Sequence, residues 1–235
     1  MTFLDHLEEL RKRILYSLIA LAVTAVVGFF FSQRVLNLLT RPVPELVFLA
    51  PAEAFVVQLK VALVTGLFLA APVIFYQFWR FVRPALQKHE VKYIASAVVV
   101  CSVLFAAGVA FAYLVVVPVA MKFLLGFETP KLHAMISISE YVGTVGAFLL
   151  ACGVIFQLPV IMFFLAKLGV VTPRLLMKNQ RIAIVLIFVV AAILSPPDVF
   201  SQCLMAAPLL VLFELGVLAS FLARPRSRSG AGVRG

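Results

Sequence analysis

The class of this protein is decided by its first apolar run, Ile14–Phe31 (ILYSLIALAVTAVVGFFF), whose 18 consecutive residues contain no charge. At about 1.5 Å per residue, an α-helix of this length approaches the thickness of a bilayer core. A charged segment precedes the run, and polar residues follow it without a clear small-x-small cleavage site. We therefore expect a retained transmembrane helix and no removed signal peptide.

Five further apolar runs follow, which makes six candidate spans. They are Val56–Tyr76, Tyr93–Met121, Val142–Ala166, Ile182–Leu194 and Val199–Leu222. The fifth has only 13 residues, about 20 Å of helix, and Arg181 and the turn Ser195–Asp198 are expected to bound it at its two ends. A re-entrant segment is one interpretation, but the short connection to the sixth run favours a short helix hairpin that thins the local bilayer. The sequence predicts an all-α integral membrane protein with six transmembrane helices.

Composition supports this class and the distribution of charge predicts its orientation. Hydrophobic residues make up 64% of the chain and charged residues 13%, which excludes both a water-soluble globule and a disordered polyelectrolyte. Of the 20 Lys and Arg residues, 15 lie in the amino-terminal segment, the second and fourth loops and the tail. By the positive-inside rule both termini face the cytoplasm of a cell-membrane protein. The net charge of +10 then reflects orientation and lipid contact, and no nucleic-acid partner is expected.

Catalytic and metal-binding patterns are absent from the sequence. His6, His89 and His133 lie outside the spans, so no intramembrane Ser-His pair can form. The three cysteines lie inside apolar runs, and neither zinc spacing nor a G-x-x-x-x-G-K-[ST] motif occurs. We expect no enzyme activity, no metal site and no cofactor.

The connections differ in character. The outer loops 32–54 and 122–141 are long, and the first contains Pro42, Pro44 and Pro51 around an apolar centre. We expect these loops to be ordered and to form an extracytoplasmic cap together. The tail 224–235 is rich in Arg, Ser and Gly, and is expected to be disordered and to lie near anionic lipid.

Two acidic residues on the cytoplasmic side have two interpretations. Glu9 lies four residues before Arg13, and this spacing fits a self-neutralising interfacial helix. Glu90 follows an aromatic segment that begins at Tyr76, and it fits the first turn of the third helix. Alternatively, because both acids are next to a span, they form a pair that receives two arginines, whose guanidinium groups match carboxylates bidentately.

Four polar residues lie in or beside the spans. Lys60 is expected to snorkel outward, and Gln157 to hydrogen-bond a neighbouring helix or a partner helix. Glu214 lies in the second half of the sixth span, where a polar group usually faces protein. Asp198 precedes the sixth helix, so helix N-capping is its default role.

Several segments together resemble the TatC family of the twin-arginine protein translocase. The match covers nearly the whole chain through Asp5–Arg13, Pro51–Phe55, Ala71–Trp79, Pro84–Leu86, Lys88–Glu90, Phe111–Tyr113, Pro196–Gln202 and Phe213–Gly216. Each fragment is weak alone, whereas their order, spacing and topology give a strong signal.

The resemblance implies a receptor and channel component that exports folded proteins bearing twin-arginine signal peptides, driven by the proton motive force. It implies that Glu9 and Glu90 bind the signal's arginine pair, with Arg11, Phe81, Leu86 and Lys88 lining or supporting the site. It also implies functional roles for Pro42, Pro72, Tyr113 and Asp198. The implied partners are the single-span subunits TatA and TatB, packed around the short fifth and sixth helices, in a larger complex that is expected to contain several copies of this chain.

One position departs from the family pattern. Many members have a glutamate where this chain has Gln157, so any role there rests on a hydrogen bond and not on charge. Two other functions stay open on the residues alone. The intramembrane polar residues fit a secondary transporter of a small solute, and a membrane scaffold would bind partners without binding signal peptides.

Overall fold

The computed structural model describes residues 3–43, 46–85, 94–126, 135–194 and 199–223. Within them the α-helices are α1 (Phe3–Leu39), α2 (Glu53–Val82), α3 (Ile94–Phe111), α4 (Val117–Leu125), α5 (Ile138–Ile155), α6 (Leu158–Lys167), α7 (Pro173–Lys178), α8 (Gln180–Leu194) and α9 (Val199–Leu222). Short 3₁₀ and π segments, Arg83–Ala85 and Ala112–Val116, continue α2 and α3. The predicted site residues Leu86, Lys88, Glu90 and Asp198, and the tail 224–235, lie outside the described residues.

The helical membrane fold predicted from the sequence is confirmed. Among the described residues, five helical stretches are long and apolar enough to cross a membrane: Leu4–Leu39, Glu53–Val82, Ile94–Leu125, Ile138–Lys167 and Met205–Leu222. Helix α8 is the shorter sixth member of the set. The expectation that Arg181 bounds this helix is wrong, because α8 begins at Gln180. Arginine is a good helix former, and its long side chain carries the charge away from the helix axis.

Two of the long stretches are not uniform α-helix. The fourth apolar run is divided between α5 and α6, and the division falls at Phe156 and Gln157. Pro159 lies in the first turn of α6, where its missing backbone N–H costs no intrahelical bond. In the third run, the π segment Ala112–Val116 ends two residues before Pro118, which lies in the first turn of α4. A π-bulge is one of the recognised ways in which a helix is locally bent.

Helices α1 and α2 form an unusually close hairpin. A Cβ atom built on Gly66 would lie 2.5 Å from Ala25 Cα, and one built on Gly28 would lie 2.7 Å from the Ala62 carbonyl oxygen. The Thr24 hydroxyl donates a hydrogen bond of 2.7 Å to the Gly66 carbonyl oxygen across the contact. Small residues let two helix backbones approach in this way, which is a common means of packing helices in membranes.

At the end of the hairpin away from the amino terminus, the two long loops meet as predicted. The Val47 N–H donates to the Ile136 carbonyl at 3.0 Å, and the Ile138 N–H donates to the Val47 carbonyl at 3.1 Å. Tyr141 donates its hydroxyl to the Leu39 carbonyl at 2.7 Å, which satisfies one of the acceptors left open at the end of α1. These contacts make an ordered cap, and we call this end of the molecule the cap end.

Candidate functional site

A polar cavity of about 720 Å³ opens at the other end of the hairpin, between the first turns of α1 and the last turns of α2. Its walls carry three acids, three bases, a tyrosine and an amide: Asp5, Glu8, Glu9, Lys12, Arg13, Arg80, Tyr16 and Gln77. The acids lie three and four residues apart, so one face of α1 presents all of them to the cavity. The lining contains equal numbers of acidic and basic side chains. Which acids are free to bind a ligand therefore depends on which of them already pair with a base.

Glu8 belongs to an exposed pair. Its Oε1 lies 2.9 Å from Lys12 Nζ, and more than 60% of each side chain is accessible. Both residues precede the apolar run that begins at Ile14, and the hydrogen bond and charge of Lys12 lower the pKa of the Glu8 carboxyl. Water and salt screen such a pair, so it contributes little to stability.

Glu9 is more enclosed and belongs to a chain of contacts that joins the two helices. Arg13 donates from one terminal nitrogen to Glu9 Oε1 at 3.2 Å, and from the other to Gln77 Oε1 at 3.1 Å. Side-chain exposure is 20% for Glu9 and 17% for Arg13. Among the residues that the structure describes, the second carboxylate oxygen of Glu9 accepts no hydrogen bond. As far as the described residues are concerned, half of this carboxylate is open to a cation that enters the cavity.

Aromatic contacts frame this end of the hairpin. The ring of Phe81 stacks on His6, with centroids 4.4 Å apart and planes 21° from parallel. Arg80 lies over the ring of Tyr76, 5.8 Å from its centroid. Of the residues implied by the resemblance, Phe81 is therefore beside the first turn of α1, whereas Arg11 is exposed and lies outside the cavity lining. The sequence analysis did not predict the contact of His6, because no sequence pattern shows that His6 lies against Phe81.

Part of the predicted site cannot be placed. Glu90, Leu86 and Lys88 fall in the segment 86–93, outside the described residues. That Glu9 and Glu90 form one site therefore stays a prediction. Asp198, expected to cap the sixth helix, likewise stays a prediction.

The remaining positions implied by the resemblance lie away from the cavity. Pro42 is half-buried in the turn that follows α1, and Pro72 is exposed within α2. Tyr113 lies in the π segment, and its hydroxyl donates to the Leu38 carbonyl of α1 at 2.7 Å. Tyr113 thus connects the third helical stretch to the end of the first, near the cap.

Gln157 joins neighbouring helices, as the hydrogen-bond interpretation predicts. Its amide nitrogen donates to the Cys101 carbonyl of α3 at 3.2 Å and to the Gly153 carbonyl of α5 at 3.3 Å. The side chain is 8% exposed, and its carbonyl oxygen is buried with no hydrogen-bond partner in the described ranges. It borders an almost wholly apolar cavity of about 620 Å³ between α2, α3, α5 and α6. One acceptor in apolar surroundings is therefore left open.

Two other intramembrane polar residues have partners within the chain. Glu214 is exposed on α9, and its Oε1 accepts a 2.6 Å hydrogen bond from Gln180 at the start of α8. Lys60 binds Ser139, with Nζ 2.8 Å from the hydroxyl and 3.1 Å from the carbonyl oxygen. Ser139 lies in the first turn of α5 beside the cap end, so Lys60 extends outward from its span as expected and finds two acceptors there.

Glu53 is the residue that sequence reasoning missed. One carboxylate oxygen accepts hydrogen bonds from the Ser137 hydroxyl and, at 3.0 Å, from the Ser139 N–H. The other accepts from the N–H groups of Leu49 at 2.5 Å and Ala50 at 3.3 Å. A glutamate that reaches back to the N–H groups before its helix resembles half of a capping box, but Ala50 and Ala52 stand where a Ser or Thr would complete that pattern, so the local sequence contains no full signal. The reach to Ser137 and Ser139 joins segments 84 and 86 residues away, which no local pattern predicts.

The chemistry of the described side chains is that of binding. No group of three His, Cys, Asp or Glu residues in the described ranges could hold a metal ion. The cavity at Glu9 offers carboxylate oxygens, an amide and aromatic faces. Such a set matches guanidinium or ammonium groups through charge and hydrogen bonds.

The sequence matches a known family over most of its length. A family model described as "Sec-independent protein translocase protein (TatC)" covers residues 5–208. A protein of that name from Carboxydothermus hydrogenoformans is 40% identical over 235 residues, which span 98% of this chain and 97% of the relative. Another from Aquifex aeolicus is 37% identical over 97% of this chain and 98% of the relative.

A solved structure resembles this one closely. The chain described as the twin arginine translocase receptor TatC has 38% sequence identity to this chain and a TM-score of 0.79. The alignment covers 93% of this chain and 99% of the solved one. The two chains therefore share their fold and more than a third of their aligned residues.

Proposed function

The chain belongs to the TatC family and is a component of the twin-arginine translocase, and on this premise we propose that Glu9 and Glu90 together bind the arginine pair of a signal peptide. The interpretation as a solute transporter is not supported, because the matched family and its solved member are a protein translocase and its receptor. We further propose that the chain acts by binding and conducting cargo and performs no catalytic step.

The observation that carries the proposal is the state of the Glu9 carboxylate. It is partly enclosed, faces a cavity of about 720 Å³ and has one oxygen engaged by Arg13. A guanidinium group binds a carboxylate through two parallel N–H···O bonds, which an ammonium group cannot do. Glu90 supplies the second carboxylate in this proposal, and Phe81, Leu86, Lys88 and Arg11 line or support the site.

The proposed function also includes the orientation of the chain in the membrane, its partner subunits and its energy source. Both termini face the cytoplasm of a cell-membrane protein, which places the cavity on the side from which cargo arrives. TatA- and TatB-like single-span subunits pack against α8 and α9, and several copies of the chain assemble with them in the membrane. The proton motive force drives transport. The open acceptor of Gln157 and the carboxylate of Glu214 are polar contacts for partner helices.

The test uses photo-crosslinkers at positions 9 and 90 of the full chain in membranes, with signal peptides that contain Arg-Arg or Lys-Lys. We expect crosslinks to the Arg-Arg peptide and far fewer to the Lys-Lys peptide. A second measurement follows export of a twin-arginine cargo, and we expect Glu9→Ala combined with Glu90→Ala to abolish it. The matched control is Glu8→Ala, which removes an acid from the same turn that is already paired with Lys12.

Two results would contradict the receptor assignment. One is export and peptide crosslinking that persist in the double variant. The other is equal crosslinking of the Arg-Arg and Lys-Lys peptides, because the bidentate geometry then plays no part. Loss of export in the Glu8→Ala control would mean that the charge of the whole segment acts, and not the pair of acids.

A further inference from the structure

Arg13 occupies the position on Glu9 that an arginine of a bound peptide requires. Its guanidinium reaches the carboxylate with one nitrogen and Gln77 of α2 with another. We propose that Arg13 is an intramolecular competitor of the signal arginine, so that peptide binding is an exchange of one guanidinium for another. This inference rests on the proposed function of Glu9.

The geometry of the pair favours exchange. The contact between Arg13 and Glu9 is a single hydrogen bond of 3.2 Å, longer than the roughly 2.7 to 2.9 Å usual for charge-assisted bonds. The third nitrogen of Arg13, Nε, is buried and has no hydrogen-bond partner among the described residues, and such an unsatisfied donor is unfavourable. A bidentate arginine from a peptide forms the better contact with the same carboxylate.

Gln77 gives the displaced side chain a second partner. Its Oε1 accepts from the other terminal nitrogen of Arg13 at 3.1 Å, and this bond does not involve Glu9. Arg13 can therefore release Glu9 while it stays bound to α2. The neighbouring Lys12 also borders the cavity, but it contacts neither Glu9 nor Gln77 among the described residues and pairs with the more exposed Glu8.

Competition has a thermodynamic signature that separates it from positioning. A protein whose binding-competent state is only fractionally populated binds every ligand of that state more weakly by one common factor. Removing Arg13 should then strengthen binding of Arg-Arg and Lys-Lys peptides by the same factor and leave their ratio unchanged. A residue that merely orients Glu9 would have the opposite effect, because its loss weakens binding.

The experiment measures equilibrium binding of labelled Arg-Arg and Lys-Lys signal peptides to the full chain in lipid nanodiscs. We expect Arg13→Gln to lower both dissociation constants by about threefold to tenfold, the range of a partly enclosed ion pair. The matched control is Lys12→Gln, which removes the same charge one residue away without touching Glu9. Its gain should stay below about twofold, because screening weakens charges that are not in contact.

Three further variants decide the outcome. In a Glu9→Gln background, Arg13→Gln should give no additional gain beyond that of Lys12→Gln, as a double-mutant cycle requires of residues that act through each other. Arg13→Lys keeps the charge and loses the second nitrogen, so it should strengthen binding by less than Arg13→Gln. It also serves as the decisive variant if the glutamine variant does not fold.

Weaker binding in both Arg13 variants, or a gain no larger than that of Lys12→Gln, would overturn the competitor role. Failure of the proposed function looks different, because Glu9→Gln alone would then bind the Arg-Arg peptide as tightly as the unchanged chain.

Discussion

Glu9 and Glu53 lie at opposite ends of the α1–α2 hairpin, and their carboxylates are in opposite situations. Glu53 accepts four hydrogen bonds from two loops and the start of α5, and is 9% exposed. From the part of the chain that the structure describes, Glu9 accepts one bond, from a residue of its own helix, and it borders an open cavity. A carboxylate whose oxygens are all engaged holds structure together, whereas one with an unused oxygen can bind a ligand. The same side chain thus serves two purposes, and the number of donors around it decides which.

The largest effect on stability is expected from removing the saturated carboxylate. Glu53→Ala leaves the Ser137 hydroxyl and the N–H groups of Leu49 and Ser139 without their acceptor. We expect the free energy of unfolding to fall by about 2 to 4 kcal/mol, since each unmet buried donor is costly. Thermal unfolding of the purified chain in detergent measures this. A Glu9→Ala variant that lost as much stability would erase the contrast between the two ends.

A substitution at the crossing of α1 and α2 should lower stability and also weaken peptide binding at the Glu9 end. Gly66→Val places side-chain atoms where Ala25 of α1 now lies, within 3 Å of the built Cβ atom. Helix α1 must then move away from α2, at a cost of about 1 to 3 kcal/mol. Thermal unfolding should report lower stability, and binding of the Arg-Arg peptide should weaken because Gln77 no longer reaches Arg13. The control is Gly143→Val, where the space around the glycine is open except for Lys60. Normal peptide binding in Gly66→Val would show that the ends are independent.

Two tyrosines test how firmly the cap holds the end of α1. Tyr141→Phe removes a buried hydrogen bond to the Leu39 carbonyl and should cost about 1 kcal/mol. Tyr113→Phe removes a bond of the same length to the Leu38 carbonyl, but in an exposed setting where water replaces it. Its cost should therefore be smaller, about 0.5 kcal/mol. Thermal unfolding of the two variants, compared side by side, checks the order, and a reversed order would contradict the burial argument.

The smallest effect is expected at the exposed ion pair. Glu8→Gln breaks the contact with Lys12, whose atoms are mostly accessible to water. We expect the free energy of unfolding to change by less than about 0.5 kcal/mol. Raising the salt concentration should abolish the difference between the variant and the unchanged chain. A larger loss that persists in high salt would show that Glu8 is structural, as Glu53 is.

The helical architecture could be predicted because the bilayer leaves few choices. Within apolar surroundings every backbone polar group needs an internal partner, so long apolar runs must be helices. The lengths of these runs therefore predict the helices, and the distribution of Lys and Arg predicts their orientation. The sequence did not predict the division at Gln157 or the π segment before Pro118, because local backbone geometry near proline depends on which helix packs beside it.

The site was predictable to the extent that it is local in sequence. The spacing of Glu9 and Arg13 predicted their contact, because residues four apart on a helix are neighbours. Gln77 is 64 residues from Arg13, and Ser137 is 84 from Glu53. Such partners depend on helix crossing and loop closure, which a single sequence does not specify. The resemblance to TatC indicated the importance of several positions without indicating what each one touches.

The crossing of α1 and α2 at Gly66 is the point at which the two helix backbones touch, and it divides α2 into two parts. Glu53 lies 13 residues before this point and Gln77 lies 11 residues after it, which corresponds to arms of about 20 Å and about 17 Å. Because the two backbones touch at this crossing, a change in the crossing angle would move the Glu53 end and the Gln77 end of α2 in opposite directions, less whatever bending Pro72 absorbs between Gly66 and Gln77. The contact between Gln77 and Arg13 and the loop contacts of Glu53 thus share one helix and one crossing, although they lie at opposite ends of the bundle.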